Sequence, residues 1–207
     1  MDVADRRELA RRALEGYVSG PTAPIEATAR ALAKLDGAAT AVLVEGISDQ
    51  IAVETAAARR GRDLGAERIV VVPIGGAHAI ARFLTGLRTG MRLAGLCDLH
   101  EEEIFRRGLR DVEHLGFFVC VEDLEDELIR SVGTADVEAL FASQGDLGSF
   151  RSLRSQPAWR GRALDAQMRR FLGSGARRKS RYARLLVEAA VDRDALPRPL
   201  DALLAAV

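Results

Sequence analysis

Residues 40–49 have the sequence TAVLVEGISD, in which an apolar strand is followed by the start of a helix. The first five residues form a continuous, largely apolar run of strand length, which Glu45-Gly46 ends. Ser48 is a residue type that caps helix N-termini, which predicts a helix from there to about Arg60. Because this strand lacks the alternation of a half-exposed strand, we expect a parallel sheet that is covered on both faces.

The same order of strand and helix recurs outward from this stretch. Further apolar strand patterns occur at 69–72, at 94–97 and at 117–120, and beyond residue 122 only helical patterns follow. This alternation predicts an α/β fold with a mainly parallel four-stranded sheet, flanked by helices and extended by a helical C-terminal part. The predicted segments are an N-terminal helical segment at 1–37, a core at 38–130, and a helical extension of the same domain at 131–207.

Composition limits the class of protein. The chain has 207 residues, 48% of them hydrophobic, which suits one domain with its own core. No apolar run approaches the ~20 residues of a membrane helix, and the charged N-terminus has no apolar signal region behind it. Cys97 and Cys120 are too few for a disulfide framework. We therefore expect a cytoplasmic protein without a membrane partner. Neither a GxxxxGK[ST] nor a GxGxxG motif occurs, so nucleotide binding of those two kinds lacks support.

The charges are segregated although 30 basic residues balance 30 acidic ones. Residues 98–138 contain 13 acidic and 4 basic residues, whereas residues 150–184 contain 11 basic and 1 acidic residue. One interpretation is a surface for cations beside a surface for phosphates. The other is that the two stretches neutralise each other across the fold or across a dimer contact. The sequence leaves both open.

Carboxylates follow three of the strands. Glu45 follows the first strand, Asp98 the third, and residues 122–125 the fourth. Because functional groups of parallel α/β sheets collect beyond the carboxyl ends of the strands, these acids are candidates for a common site. Asp49 lies four residues after Glu45 and is expected to face the same side. Such oxygen ligands suit Mg²⁺ or Mn²⁺ better than zinc. Each acid taken singly is equally consistent with a helix N-cap.

Three of these segments together resemble the TOPRIM domain of topoisomerases, bacterial primases, small ribosomal-RNA maturases and overcoming-lysogenization-defect (OLD) nucleases. They are VEGISD at 44–49, VPIGG at 72–76 and GLCD at 95–98. The later RKSRYA at 178–183 and PRP at 197–199 make the chain most similar to the OLD branch, with a match over about residues 38 to 207. OLD nucleases usually carry an N-terminal ATPase, for which this chain has neither the length nor the motif. We therefore expect a stand-alone TOPRIM protein.

The resemblance implies roles for particular residues. The implied catalytic residues are Glu45, Asp98 and Lys179. The implied metal ligands are Glu45, Asp49, Asp98 and Glu125, with Glu102 as a substitute ligand. The glycine turn after the second strand and the basic C-terminal helix add candidate phosphate-binding residues, which are Gly75, Gly76, Arg177, Arg178 and Arg181. His100 stands where the family has the second aspartate of its DxD motif. Either a neighbouring glutamate replaces that aspartate, with Glu102 in the best position, or one metal site is weakened.

The function implied by the resemblance is a phosphodiester hydrolase that uses one or two Mg²⁺ or Mn²⁺ ions, most closely a DNA endonuclease or nickase. One alternative is a non-catalytic module that binds nucleic acid or protein and has an eroded metal site. The other is an RNase similar to the ribosomal-RNA maturases. DNA is the expected partner, and a second copy of the chain and a separate ATPase are the further partners considered.

Overall fold

A parallel sheet forms the centre of the protein in the computed structural model, which describes residues 2–84, 90–110 and 112–207. In these ranges the sheet has four strands in the order β2-β1-β3-β4, and every neighbouring pair is parallel. The strands are β1 (Thr40–Val44), β2 (Ile69–Pro73), β3 (Arg92–Asp98) and β4 (His114–Cys120). The predicted α/β fold with its parallel sheet is confirmed.

Helices flank the sheet and account for most of the chain. They are α1 (Val3–Ala13), α2 (Ala23–Leu32), α3 (Ile47–Arg59), α4 (Ile80–Leu84), α5 (Glu102–Gly108), α6 (Leu124–Val132), α7 (Thr134–Ser143), α8 (Leu147–Ser155), α9 (Leu164–Leu172), α10 (Ala176–Asp192) and α11 (Arg198–Ala206). The sequence pattern from about Ala77 to Leu87 predicts one helix. The structure has a 3₁₀ turn at Ala77–Ala79 followed by α4, and the predicted end of the helix lies outside the described residues. Among the described residues, none of the helices combines the length and the apolar character needed to cross a bilayer.

The start of α3 differs from the prediction. Gly46 rather than Ser48 occupies the N-cap, with extended backbone, and Ser48 lies in the first turn. The reason is the side chain of Asp49, whose Oδ2 accepts a hydrogen bond from the Gly46 N–H at 2.9 Å. This bond satisfies a backbone donor that precedes the helix, so the first turn can begin directly after the strand.

The core has two layers because β1 is buried on both faces. Val42 and Val44 face one layer, and Ala41 and Leu43 face the other, all fully buried. The layer at Val42 continues into the C-terminal helices through an aromatic group whose neighbouring ring centroids lie 4.9–5.4 Å apart. The group consists of Phe141, Phe150, Phe171 and Tyr182. Since the C-terminal helices share this core with β1 and α3, we propose that residues 38–130 and 131–207 form one domain.

Candidate active site

The acidic residues of the candidate site come from the carboxyl edge of the sheet. Glu45 directly follows β1 and Asp98 ends β3, and these two strands are neighbours with Val44 paired to Leu96. The structure therefore places both acids at the same edge, where both are partly buried. Asp49 lies in the first turn of α3, and Glu125 lies in the first turn of α6.

Asp98 lies in a strongly negative environment. Burial raises the pKa of its carboxyl group, and the charges of Asp49, Glu45 and Asp123 raise it further, to about 8. The ammonium group of Lys179 acts in the opposite direction but does not compensate. Repulsion of this kind falls when a cation binds, because each carboxylate then gains an opposite charge. Asp123 lies in the predicted acidic stretch 122–125 but was not among the metal ligands that the resemblance implies.

Lys179 reaches this acidic group from α10. Its Nζ lies 3.2 Å from Oε2 of Glu125, a side chain that is only 5% exposed. Burial disfavours the charged ammonium, but the carboxylates of Glu125 and Asp49 outweigh burial and raise the pKa of Lys179. Burial also raises the pKa of Glu125, to about 7, against the lowering effect of Lys179. The site therefore holds a charged lysine that Glu125 and Asp49 share as a counter-ion.

Gly75 and Gly76 hold the loop that carries Glu45. Their φ angles are +75° and +104°, values that L side chains rarely adopt. Both backbone N–H groups donate to the carbonyl oxygen of Glu45, at 3.0 and 3.1 Å. These donors are used within the fold, and phosphate binding by Gly75 and Gly76 stays a prediction. Their contribution is to position Glu45.

Substitution of Gly75 by alanine should destabilise the protein by about 1–2 kcal/mol, because a Cβ atom is strained at positive φ although open space surrounds it. Gly148 is the matched control. It lies in α8, and an added Cβ there also meets open space without a positive φ. Gly148→Ala should be neutral or stabilise by up to about 1 kcal/mol. Urea denaturation of both variants measures the free energies of unfolding, and equal effects would contradict a conformational role for Gly75.

The arginines expected to bind phosphate differ in their surroundings. Arg177 is exposed on the first turn of α10. Arg178 stacks over the ring of Phe171, with its guanidinium carbon 4.1 Å from the centroid. Arg181 is only 7% exposed and donates a hydrogen bond to Asp146, and its phosphate-binding role stays a prediction. A buried guanidinium needs such a carboxylate partner, and Arg177 remains the exposed member of the set.

Glu102 and His100 lie at the rim of the carboxyl edge. Oε1 of Glu102 accepts a hydrogen bond from Arg106 one helical turn later, at 2.5 Å. His100 is exposed in the 3₁₀ turn Leu99–Glu101. In residues 2–84, 90–110 and 112–207, no group of three His, Cys, Asp or Glu side chains is arranged to hold a metal ion. The donor chemistry at Asp98, a carboxylate with further carboxylates nearby, fits a hard divalent cation.

The segregated charges partly neutralise each other across the fold. Arg169 donates to Asp123 at 2.6 Å and to Glu122 at 2.8 Å. Lys179 pairs with Glu125 in the same way, so α9 and α10 lie against the acidic start of α6. These contacts agree with the interpretation that the acidic and basic stretches neutralise each other across the fold. They also bring the basic segment 150–184 next to the acidic edge.

Sequence reasoning missed a groove beside the acids. It has a volume of about 520 Å³ and is lined by Glu45 and Asp49, by the start of α10, and by residues of the segment 14–24. The segment precedes the first strand and carries no motif, so nothing in the sequence indicated that it reaches the site. Ser48 also lines the groove, and its pattern suggested only a helix cap.

Comparisons with known proteins agree with this geometry. The family model described as overcoming lysogenization defect protein-like, TOPRIM domain, matches residues 38–99. The C-terminal region of the Burkholderia pseudomallei OLD protein is 18% identical with a TM-score of 0.57, over 81% of this chain and 96% of that chain. The C-terminal region of the Xanthomonas campestris pv. campestris OLD protein phased with iodine is 20% identical with a TM-score of 0.56, over 82% and 93%. No curated protein matches the chain in sequence. The chain thus carries an OLD-like TOPRIM domain at residues 38–99, and its fold is that of the C-terminal regions of OLD proteins.

Proposed function

We propose that this protein is a nuclease that hydrolyses phosphodiester bonds of DNA with the help of Mg²⁺ or Mn²⁺. The observation that carries the proposal is the placement of Glu45 and Asp98 at the ends of adjacent parallel strands, in a field that raises the pKa of Asp98 to about 8. An excess of buried negative charge at a strand edge is costly for a protein that binds no cation there. TOPRIM domains generally bind divalent metal ions, which supports the same conclusion.

Glu45, Asp98 and Asp49 are the residues proposed to hold the metal. When bound, a divalent ion at such a site polarises a phosphoryl oxygen and lowers the pKa of a coordinated water molecule. Glu125 lies 3.2 Å from Lys179 and is proposed to position that lysine or to join a second metal shell. Glu102 already pairs with Arg106, so its part in metal binding requires that this pair opens.

Lys179 is proposed to stabilise the negative charge that develops on the phosphate. Its ammonium group remains charged, because Glu125 and Asp49 raise its pKa. A fixed cation beside the reacting phosphate lowers the barrier, since it interacts more strongly with the transition state than with the substrate. Arg177 on the same helix is proposed to bind a neighbouring phosphate.

Incubation of the protein with plasmid, linear and single-stranded DNA and with RNA, each in Mg²⁺ and in Mn²⁺, tests the proposal. We expect metal-dependent cleavage of DNA that falls steeply as salt rises, because phosphate contacts release counterions. Glu45→Gln should reduce cleavage by at least about 100-fold. Substitution of a residue that only supports a metal ligand already costs about 10–100-fold, and loss of the ligand itself should cost more.

Arg198→Gln provides the control for this assay. Arg198 is exposed at the start of α11 and does not line the groove at the acids. The variant should cleave like the unchanged protein. Cleavage that persists in EDTA, or Glu45→Gln activity equal to that of the unchanged protein, would contradict the proposal. Preferential cleavage of RNA would instead favour the maturase-like activity.

A second function is a binding module that has lost catalysis. It is favoured by the exposed His100 in place of the second acid, and by the lack of a ready three-residue metal group among the described residues. A module of this kind would bind DNA without cleaving it in Mg²⁺ or in Mn²⁺. Binding by electrophoretic mobility shift together with a negative cleavage assay identifies this case.

A further inference from the structure

The groove at the acidic edge is partly built by residues outside the matched domain. Its apolar wall contains Leu14, Val18, Pro21 and Pro24 from the N-terminal segment, and Ile47 from the first turn of α3. The side chains of proline and valine have few rotatable bonds, so this wall has little conformational freedom. A preformed apolar wall next to a polar site is the usual arrangement of a pocket that holds an organic ligand.

Polar and basic residues also line the groove. They include Arg177, Lys179 and Ser180 of α10, and Ser48 of α3. Ser48 is 6% exposed, and its hydroxyl group has no hydrogen-bond partner within the part of the chain that the structure describes. None of the carboxylates in that part pairs with Arg177. The Ser48 hydroxyl group and the Arg177 guanidinium group both line the groove, and both can donate hydrogen bonds to an anionic ligand.

The volume of the groove limits what can enter. About 520 Å³ lies within the range of about 300–1,000 Å³ that is typical of small-molecule pockets. A groove of this volume suits a ligand of the size of one nucleotide.

We propose that this groove holds one unpaired nucleotide adjacent to the phosphodiester bond that is cleaved, with its phosphate at Arg177 and Ser48 and its base against the apolar wall. The inference rests on the proposed function and names its substrate class, which is single-stranded DNA or DNA with an unpaired end. This orientation is supported by the elements that line the groove, since Arg177 and Lys179 belong to α10 whereas the residues of the apolar wall come from the segment 14–24 and from α3. None of the lining residues is aromatic, so the base would contact the wall by apolar packing rather than by ring stacking.

Binding of two fluorescent DNA hairpins, measured by anisotropy in EDTA, tests the inference without any contribution from cleavage. Both hairpins have the same number of nucleotides, and one of them exchanges part of its stem for an unpaired thymidine tail. The unchanged protein should bind the tailed hairpin about tenfold more tightly, a difference of about 1.4 kcal/mol. Val18→Trp fills the groove from a partly exposed position and should remove this preference while it keeps the affinity for the paired hairpin.

Arg177→Gln should weaken binding of the tailed hairpin by about tenfold, whereas Arg198→Gln should leave it unchanged. Circular dichroism establishes that Val18→Trp is folded. Equal affinities of the unchanged protein for both hairpins, no binding of either, or a folded Val18→Trp that keeps the preference would overturn the inference. A preference without cleavage in Mg²⁺ or Mn²⁺ supports the groove and contradicts the nuclease. Cleavage without a preference for the tailed hairpin supports the nuclease and contradicts the groove.

Discussion

Asp98→Asn should raise the melting temperature of the metal-free protein and should also lower DNA cleavage by at least about 100-fold. The two effects have one cause. Asp98 is surrounded by Asp49, Glu45 and Asp123, which together with burial raise its pKa to about 8. Its ionised form therefore destabilises the folded protein, and the neutral asparagine of the same shape removes that repulsion. The same negative field is what attracts a divalent cation.

The gain in stability should depend on pH in a defined direction. The pKa of Asp98 is raised from 3.8 to about 8, so the folded protein binds a proton that the unfolded chain releases. The contribution of Asp98 to stability is thus complete below about pH 4, and it is lost as the pH rises toward 8. Asparagine has no such dependence. The difference in melting temperature between variant and unchanged protein should therefore be small near pH 4 and largest above pH 8.

Thermal denaturation with and without metal measures this prediction. Mn²⁺ should raise the melting temperature of the unchanged protein by binding the folded state, and it should have little effect on Asp98→Asn. Arg198→Gln controls for a change of charge elsewhere on the surface. A variant that is less stable than the unchanged protein in EDTA at pH 8 would contradict the electrostatic argument.

Asp146→Ala should destabilise the protein by about 3–5 kcal/mol, because it leaves the buried guanidinium of Arg181 without its carboxylate. Asp146 is 8% exposed and accepts hydrogen bonds from Arg181 and, at 3.0 Å, from the hydroxyl group of Tyr182. All three groups lie where α8 and α10 meet the aromatic group of the core. The substitution removes the only charge that compensates Arg181 among its hydrogen-bond acceptors in the described residues.

Asp192→Ala is the matched control for this experiment. Asp192 also pairs with an arginine, Arg59, but both side chains are largely exposed. Its loss should cost at most about 1 kcal/mol. Equilibrium urea denaturation gives both free energies of unfolding. Arg181→Met in the Asp146→Ala protein should restore part of the stability, because it removes the unpaired charge. A loss below about 1 kcal/mol for Asp146→Ala would show that Arg181 finds another partner.

The sequence by itself determined the sheet and the edge at which the acids gather. Apolar runs at β1 and β2 exclude half-exposed strands, and helical patterns between the strands require parallel connections. In a parallel sheet all carboxyl ends lie at one edge, so Glu45 and Asp98 had to meet there once the strands formed. The apolar pattern of each strand and the order of strands and helices along the chain decide where these acids lie, and both can be read from the local sequence.

Only the tertiary structure decided which charges are available for function. Arg177 and Arg181 are four residues apart on α10 and look alike in the sequence, yet one is exposed and the other is buried against Asp146. Gly75 and Gly76 suggested phosphate ligands, but their N–H groups donate to the carbonyl of Glu45. The physical reason is that hydrogen bonds and ion pairs form between residues distant in the chain, and helix packing selects them. The groove at the acids has the same origin, because the segment 14–24 reaches the site only through the packing of the fold.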